Sequence, residues 1–342
     1  MPKFSYHILH IFKPHLAAIR HELVITYRLS YRDWNTTIIP SLLMALGAFY
    51  QRFLGSAAQP QGFSLTDLQY IILPCLGRLF AWSSLYLYCF NWANQILGVE
   101  EDRANKPDRP IPAGLVSIEG AKLRFSMVAI LLLIVGYIVA GWGPGVFGAV
   151  LWGILIALYE LGGWSRNPFL KNLFVGLGGW LMTAVVYSIL VADDVVDGEY
   201  RSPGDWMHLW GLTFCLFHSS LIHMQDLRDV DVDAAAGRIT FPILLGDTLT
   251  RWLTVLVLFA ISYMMAFVGK ESLIGAGLTM PFEAVIIEWF SLAWAAGTAL
   301  RLLAYRTLQN DHVTYTVGYG GYFCIQMVYA GMCISASTWS RI

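Results

Sequence analysis

Nine long apolar stretches constrain the fold of this 342-residue chain more than any other feature of its sequence. A helix needs about 20 mostly apolar residues to cross the hydrocarbon core of a bilayer. Only 13% of the residues are charged, whereas a soluble domain carries about a quarter. We therefore predict an all-α, multi-pass integral membrane protein whose nine transmembrane helices run over roughly 37 to 54, 69 to 96, 123 to 141, 143 to 163, 170 to 192, 206 to 226, 250 to 268, 282 to 304 and 315 to 337.

The distribution of basic residues predicts the orientation of these spans, because Lys and Arg near span ends tend to stay in the cytoplasm. Of the 22 basic residues, 17 precede the first span or lie in and beside the connections 2–3, 4–5, 6–7 and 8–9. We expect residues 1–35 to form a cytoplasmic segment, compatible with an amphipathic surface helix, and the C terminus to lie across the membrane. No Pro/Gly/Ser-rich linker is long enough to separate soluble domains, which predicts one intramembrane domain over residues 1–342.

Charge and cysteine usage argue against several functional classes. A net charge of −1 gives no support to nucleic-acid binding, and the sequence has no Gly-rich phosphate loop of the nucleotide-binding kind. The five cysteines all fall inside predicted spans without the paired spacing of a metal site, so we expect them to pack as small apolar side chains.

Two polar, acid-rich segments interrupt the apolar pattern at corresponding positions. The first acidic segment, residues 94–110 (NQILGVEEDRANKPDRP), follows span 2, and the second acidic segment, residues 223–242 (HMQDLRDVDVDAAAGRITFP), follows span 6. Asn94 and Asp226 are 132 residues apart (226 minus 94), with four spans in each unit. The predicted topology puts both segments on the cytoplasmic side, so we expect two four-helix units that turn their acidic ends towards each other.

The second acidic segment has the spacing of a metal site. If span 6 continues as a helix, Asp226, Asp229 and Asp233 lie at i, i+3 and i+7 on one face, whereas Asp231 points elsewhere. Carboxylates stacked in this way repel one another, so a positive group should lie between them. Magnesium is the natural candidate, because it is a hard cation that binds through a few carboxylates and substrate phosphates.

The first acidic segment supplies further oxygen ligands in Asn94, Glu101 and Asp102. Basic residues able to hold phosphate oxygens lie in or near the two segments; they are Lys106, Arg109, Arg166, Arg228 and, at a greater distance, Arg32. Acids for a metal together with bases for phosphate predict a diphosphate site. The alternative, that both segments are solvated cytoplasmic loops, stays open for either segment taken alone.

These residues resemble the UbiA superfamily of intramembrane prenyltransferases, whose two aspartate-rich motifs bind magnesium and a prenyl diphosphate in a nine-helix bundle. Asp226, Asp229 and Asp233 match the second motif, as does the trailing GRITFPILLG. The resemblance also covers Tyr159 with Arg166 seven residues later, and the pair Lys171 and Asn172. It implies a role in substrate binding for Arg166 and Lys171, and a place in the reaction site for Tyr159.

The first motif departs from the usual family pattern, because Gln95 and Gly98 stand where aspartates are expected. The pairs Asn94–Gln95 and Glu101–Asp102 resemble instead the membrane-bound terpene cyclases of this superfamily. That resemblance implies magnesium-dependent ionisation and cyclisation of a linear prenyl diphosphate, with farnesyl diphosphate and a sesquiterpene product expected. It also implies the endoplasmic reticulum as the location in a eukaryotic cell.

A cyclase of this kind must stabilise a carbocation away from water, and aromatic faces attract a cation within about 6 Å of the ring centre. Trp82, Tyr86 and Trp180 are the candidates within the spans, although an aromatic residue in a span is more often a packing residue or an interfacial anchor. Two other functions stay open. A prenyltransferase would hand the same chain to an acceptor, and a transporter would place an ion site near the bilayer midplane on broken helices.

Overall fold

The computed structural model describes residues 3–55, 63–191, 205–275 and 279–339. Within these ranges the chain forms helices joined by turns, without a β-strand. The α-helices are, in chain order, α1 Lys3–Ser30, α2 Ile38–Phe53, α3 Leu65–Asp67, α4 Leu73–Leu97, α5 Val99–Asn105, α6 Ile118–Ala140, α7 Gly148–Glu160, α8 Pro168–Val191, α9 Asp205–Leu221, α10 Val230–Ala235, α11 Phe241–Leu245, α12 Asp247–Gly275, α13 Phe282–Ala304, α14 Leu308–Val313 and α15 Gly320–Trp339. Six shorter segments have 3₁₀ or π geometry: Tyr31–Thr36, Leu68–Ile72, Gly141–Phe147, Trp164–Arg166, Ile222–Leu227 and Thr314–Tyr319.

The nine predicted spans each overlap one of these helices, which confirms the all-helical prediction. In the described residues, six stretches are long and apolar enough to cross a membrane: Leu65–Leu97, Ile118–Glu160, Pro168–Val191, Asp247–Gly275, Phe282–Ala304 and Leu308–Ser335. The stretch Ile118–Glu160 contains both α6 and α7, whereas α2 and α9 fall below the length of a candidate span. The described residues therefore contain six stretches able to span a membrane, and a total of nine crossings stays a prediction.

The chain reverses direction between α6 and α7. Gly141 ends α6 in a left-handed conformation, with φ 68°, and the π segment Gly141–Phe147 packs back against α6. The approach is close because two glycines face each other: a Cβ added to Gly145 would lie 2.0 Å from the carbonyl oxygen of Gly136. The reversal brings the end of α7 back to the end of the molecule where α6 begins.

The long helices contact one another in a closed order. Contacts run from α2 to α4, α7, α8, α9, α12, α13 and α15, and α15 returns to pack along α2. A Cβ added to Gly331 of α15 would lie 2.0 Å from the carbonyl oxygen of Met44, and one added to Gly47 would lie 2.2 Å from that of Val328. Small residues that let helix backbones approach are a common means of helix association in membranes.

Helices α8 and α9 form a second close pair, and their antiparallel packing positions the polar residues of interest. A Cβ on Gly176 would lie 1.9 Å from Oγ of Ser219, and one on Gly179 would lie 2.4 Å from the His218 ring. The beginning of α8 therefore meets the end of α9. Lys171, near the start of α8, consequently lies beside Asp226, which follows α9.

Candidate active site

Both acidic segments are broken helices, whereas the spacing argument for the second one assumed a continuous helix. Helix α4 ends at Leu97, and Gly98, with φ −97° and ψ 19°, separates it from α5. Helix α9 ends at Leu221, and the 3₁₀ segment Ile222–Leu227 precedes α10. The assumption that span 6 continues as one helix was wrong, because the backbone leaves α-helical geometry at Leu221, with φ −123° and ψ −15°.

The first acidic segment is organised by Arg109. Its Nη1 atom donates to both carboxylate oxygens of Asp102, at 2.8 and 2.7 Å, and to Oδ1 of Asn94 at 3.2 Å. The amide of Asn94 in turn donates to Oε1 of Glu160 at 2.9 Å. Asn94, Asp102 and Arg109 therefore form one hydrogen-bonded group beside the end of α7.

The second acidic segment contains a buried ion pair. Nζ of Lys171 donates to Oδ1 of Asp226 at 2.6 Å, and the Asp226 side chain is 1% exposed. Burial raises the pKa of Asp226 to about 6, although the Lys171 ammonium acts in the opposite direction. The second oxygen, Oδ2, is buried without a hydrogen-bond partner, so one lone-pair direction of this carboxylate is unsatisfied.

Arg238 connects the two acidic segments. Its guanidinium donates to Oε1 and Oε2 of Glu101 at 2.9 and 2.5 Å, and to Oδ1 of Asp233 at 3.3 Å. Asp233 is buried, and its Oδ2 atom also lacks a hydrogen-bond partner. The two acidic clusters are therefore adjacent, as the internal repetition of the sequence predicted.

The remaining predicted phosphate ligands lie at different depths. Lys106 is half-buried, and burial followed by the charge of Arg109 lowers its pKa, against attraction from Asp102, Asp229 and Glu101. Arg228 donates to Oδ2 of Asp229 at 3.3 Å.

Two predicted phosphate ligands lie further out. Arg32 pairs with Asp108 at 2.8 Å, and the side chain of Arg166 is exposed. The structure thus brings Lys106, Arg109, Lys171 and Arg228 to the acidic segments and leaves Arg32 and Arg166 at their edge.

A column of stacked aromatic rings extends from the polar residues into the apolar interior. Its successive ring centroids are 4.3 to 5.2 Å apart, through Tyr159, Phe174, Trp152, Tyr86 and Trp82. Tyr86 and Trp152 are fixed further by hydrogen bonds to backbone carbonyls, of Gly178 and Tyr86 respectively. Three of the predicted aromatic site residues, Trp82, Tyr86 and Tyr159, therefore belong to one aromatic column.

Trp180 lies apart from this column. Its side chain is 37% exposed and packs where a Cβ on Gly211 would lie, so it contacts α9. The column instead contains Trp152 and Phe174, which the sequence did not single out for the site. Their only signal was an aromatic side chain in a predicted span, and that signal is shared with many packing residues.

Comparison with known proteins decides the family. The model of the UbiA prenyltransferase family matches residues 53–315, more than half of the chain. The chain belongs to the UbiA prenyltransferase family. Among its relatives, diterpene cyclase eriG of Hericium erinaceus is 31% identical over 325 residues, which cover 92% of this chain and 90% of that protein.

Further relatives of this UbiA-family chain include a transferase and a second terpene synthase. Polyprenyl transferase eriF of Hericium erinaceus is 33% identical, covering 70% of this chain and 75% of that protein. Fumagillin beta-trans-bergamotene synthase af520 of Aspergillus fumigatus is 28% identical, over 62% of this chain and 70% of that protein. Among solved structures, a UbiA homolog from Archaeoglobus fulgidus bound to DMAPP and Mg²⁺ has a TM-score of 0.59 at 15% identity, with 91% of this chain and 99% of that chain covered. This likeness shows a shared UbiA fold.

The residues of this UbiA-family site fit a divalent cation by their chemistry. All the candidate ligands offer oxygen, which magnesium prefers, and two buried carboxylate oxygens, Oδ2 of Asp226 and of Asp233, have no partner. In the described part of the chain, however, no three His, Cys, Asp or Glu side chains are arranged closely enough to hold a metal ion. The carboxylates are instead each drawn towards a basic side chain.

Two polar residues near the UbiA-family site were not predicted from the sequence as part of it. Arg238 lies in the stretch GRITFPILLG, which carried the resemblance without a role for this side chain. Asp33 accepts a hydrogen bond from Asn91 at 3.2 Å, and burial raises its pKa against the charges of Arg109 and Lys106. Its position before the first span gave no signal, since nothing in the sequence pairs it with α4.

Proposed function

We propose that this protein catalyses magnesium-dependent ionisation of a linear prenyl diphosphate and its cyclisation to a terpene hydrocarbon. The observation that carries the proposal is the junction of both acidic segments through Arg238, directly beside the aromatic column. One end of the site offers carboxylates and cations, and the other offers ring faces in an apolar interior. A substrate with a diphosphate head and a hydrocarbon tail matches both ends.

The chain's own side chains have separate tasks in this reaction. Lys106, Arg109, Lys171 and Arg228 hold diphosphate oxygens, and the predicted metal ligands are Asn94, Glu101, Asp102, Asp226, Asp229 and Asp233. Magnesium, when bound, neutralises charge on the leaving group. The allylic C–O bond breaks with its electron pair going to diphosphate, and a double bond of the same chain attacks the cation. Transfer of a proton from carbon to the released diphosphate then completes the hydrocarbon.

The aromatic column has the geometry to stabilise the cation. Trp82 and Tyr159 lie at the two ends of the column, each stacked on one neighbour. Tyr86 is instead stacked between Trp82 and Trp152 and holds the column together. A ring face attracts a cation within about 6 Å of its centre, so the two end rings are the ones we propose for this role. The buried packing of these rings excludes water, which would otherwise quench the cation to an alcohol. Trp180, on the α9 side, stays a weaker candidate for the same role.

The length of the substrate is open between two prenyl classes. Farnesyl diphosphate, with fifteen carbons, is the substrate we propose from the sequence, and bergamotene synthase af520 is among the relatives. Diterpene cyclase eriG matches over more of the chain, and a diterpene has twenty carbons, so the twenty-carbon diphosphate must be tested beside it. In a eukaryotic cell we expect the protein in the endoplasmic reticulum membrane.

The second candidate function is transfer of the prenyl group to an acceptor. It is supported by polyprenyl transferase eriF and by digeranylgeranylglyceryl phosphate synthases among the relatives. Gln95 and Gly98, which replace two acids of the first motif, favour the cyclase.

The decisive experiment supplies purified protein with magnesium and ten-, fifteen- or twenty-carbon prenyl diphosphates in the absence of any acceptor. We expect release of diphosphate together with a cyclic hydrocarbon detected by gas chromatography and mass spectrometry. A prenylated acceptor, formed with release of diphosphate only after an aromatic or polyol acceptor is added, would support the transferase. Absence of diphosphate release from all substrates, both with and without acceptor, would overturn both proposals.

Substitution of Asp226 tests the site itself. Asp226→Ala removes a buried carboxylate next to Lys171, and we expect turnover to fall by about 10²-fold or more, since loss of a key electrostatic group has this scale. The matched control is Asp231→Ala, on the same segment but exposed, which should retain activity. Thermal unfolding is used to check that both variants are folded. If both are folded and equally active, Asp226 has no role in the reaction.

A further inference from the structure

Each carboxylate of the predicted metal set contacts a basic side chain of this chain, and the five carboxylates share four bases because Arg238 contacts two of them. The pairs are Glu101–Arg238, Asp102–Arg109, Asp226–Lys171, Asp229–Arg228 and Asp233–Arg238. A cation that enters the site must therefore compete with these bases. In the described residues these acids are drawn to the bases and are not gathered into a metal-ligand cluster.

Arg238 differs from the other bases because it contacts acids of both segments. Its planar guanidinium lies between Glu101 and Asp233, with three hydrogen bonds of 2.5 to 3.3 Å. Oxygen atoms that lack a partner lie on the same group of acids, at Oδ2 of Asp233 and Oδ2 of Asp226. Arg238 thus occupies the position where a cation would join the two segments, and leaves part of their donor set unused.

We infer that Arg238 holds the place of the divalent cation between Glu101 and Asp233 in the unliganded protein, and exchanges these carboxylates for diphosphate oxygens when cation and substrate bind. The inference rests on the proposed magnesium–diphosphate function. Arg238 is 27% exposed, so its side chain has free space on one side in which to move. Its forked donors fit phosphate oxygens as well as carboxylates.

The exchange makes the binding of the metal ion and the binding of diphosphate depend on each other. A metal ion alone must break charge-assisted hydrogen bonds and leave a guanidinium without a partner, so its binding is weakened. Diphosphate alone must draw Arg238 from two carboxylates that then repel each other. When both ligands are present, each removed partner is replaced, and the two binding free energies are coupled positively.

The test measures binding rather than turnover. Full-length protein in detergent is titrated with Mn²⁺ and bound metal is followed by electron paramagnetic resonance, with and without inorganic diphosphate, against a protein-free titration. We expect Arg238→Gln to bind Mn²⁺ alone about tenfold more tightly than wild type, since one charge-assisted competitor is removed. The same variant should lose most of the increase in Mn²⁺ affinity that diphosphate produces in wild type.

Two further variants separate this role from simpler ones. Arg103→Gln is the matched control, because it also removes one positive charge, in this case from the first acidic segment. Arg103 is 56% exposed and pairs with Glu100, so the Mn²⁺ affinity of this variant should stay at the wild-type value. Arg238→Lys keeps the charge without the fork and should bind Mn²⁺ with intermediate affinity. If thermal unfolding shows that Arg238→Gln is not folded, the Mn²⁺ affinity of Arg238→Lys tests the exchange instead.

The outcomes of the titration are distinguishable. Equal Mn²⁺ affinity in wild type and Arg238→Gln, or an equal rise in Arg103→Gln, would overturn the exchange while leaving the proposed function intact. Lower affinity in Arg238→Gln would make Arg238 a support of the ligand set rather than its competitor. If neither wild type nor Arg238→Gln binds Mn²⁺ with or without diphosphate, the proposed function fails together with the inference.

Discussion

At the scale of single residues, the Asp226 carboxylate is buried although one of its oxygens has no hydrogen-bond partner. Its side chain is 1% exposed, one oxygen is bonded to Lys171, and the other has no partner. A buried polar atom without a partner costs about 1–3 kcal/mol. Such a cost is typical of a functional position, where a ligand later supplies the missing interaction.

The raised pKa of Asp226 predicts a pH effect on the stability of metal-free protein. Its folded value, about 6, lies above the ordinary value of about 3.9, so between these pH values the folded state binds more protons than the unfolded chain. The free energy of unfolding therefore loses a contribution from Asp226 as the pH rises through this window. Asp226→Asn cannot ionise, so its stability relative to wild type should increase from about pH 4 to about pH 6 and then level off.

Thermal unfolding in detergent with a metal chelator measures this difference at each pH. Asp231→Asn is the control, because Asp231 lies on the same segment with an exposed side chain. Parallel curves for Asp226→Asn and wild type over the whole range would contradict a raised pKa in the folded protein.

The chemistry of individual residues was accessible from the sequence to different degrees. Asp226 and Asp233 were predicted from their spacing, and the structure buries both beside basic groups, as their mutual repulsion requires. Arg238 was not assigned, because its partner Glu101 lies 137 residues away and no local pattern encodes that contact. Trp180 and Trp82 had the same signal, an aromatic residue in a span, and only the packing separates them.

At the scale of helices, the site is made by helix ends. Helices α4, α7 and α9 finish, and α8 begins, at one end of the molecule, which places Asn94, Glu160, Asp226 and Lys171 close together. Apolar length predicted these helices, whereas the breaks at Gly98 and Leu221 were missed. A break depends on tertiary contacts of the backbone around it, which the hydrophobic pattern does not contain.

The crossing of α2 and α15 gives a prediction for a helix pair. Gly331→Val would place side-chain atoms where the Met44 carbonyl oxygen lies, 2.0 Å from an added Cβ, so the helices must separate. We expect a destabilisation of about 1–3 kcal/mol, as for overpacked interiors. Gly297→Val is the control, since a Cβ on this glycine of α13 meets nothing within 4 Å.

The measurement is the midpoint of thermal unfolding for both variants in the same detergent. A similar midpoint for Gly331→Val and Gly297→Val would show that the α2–α15 contact contributes little to closure of the bundle.

At the scale of the whole molecule, the helices form a UbiA fold in which α2 and α15 pack together. Composition predicted the membrane class and the helical architecture, and the repeated acidic segments predicted that two halves meet. The sequence did not reveal that the guanidinium of Arg238 joins the two acidic segments. That contact is a property of the assembled bundle, since Glu101 lies on α5, Asp233 on α10 and Arg238 in the turn after α10.

The pairing of each predicted metal-binding carboxylate with a basic side chain also affects how the proposed substrate arrives. Opposite charges a few ångströms apart largely cancel at a distance, so the two acidic segments produce only a weak electric field in the surrounding water. Long-range steering of a diphosphate from solution is therefore weak. For the proposed prenyl diphosphate, we expect encounter to depend instead on partition of the prenyl tail into the lipid and on lateral diffusion, and capture to begin when the head group contacts Arg238.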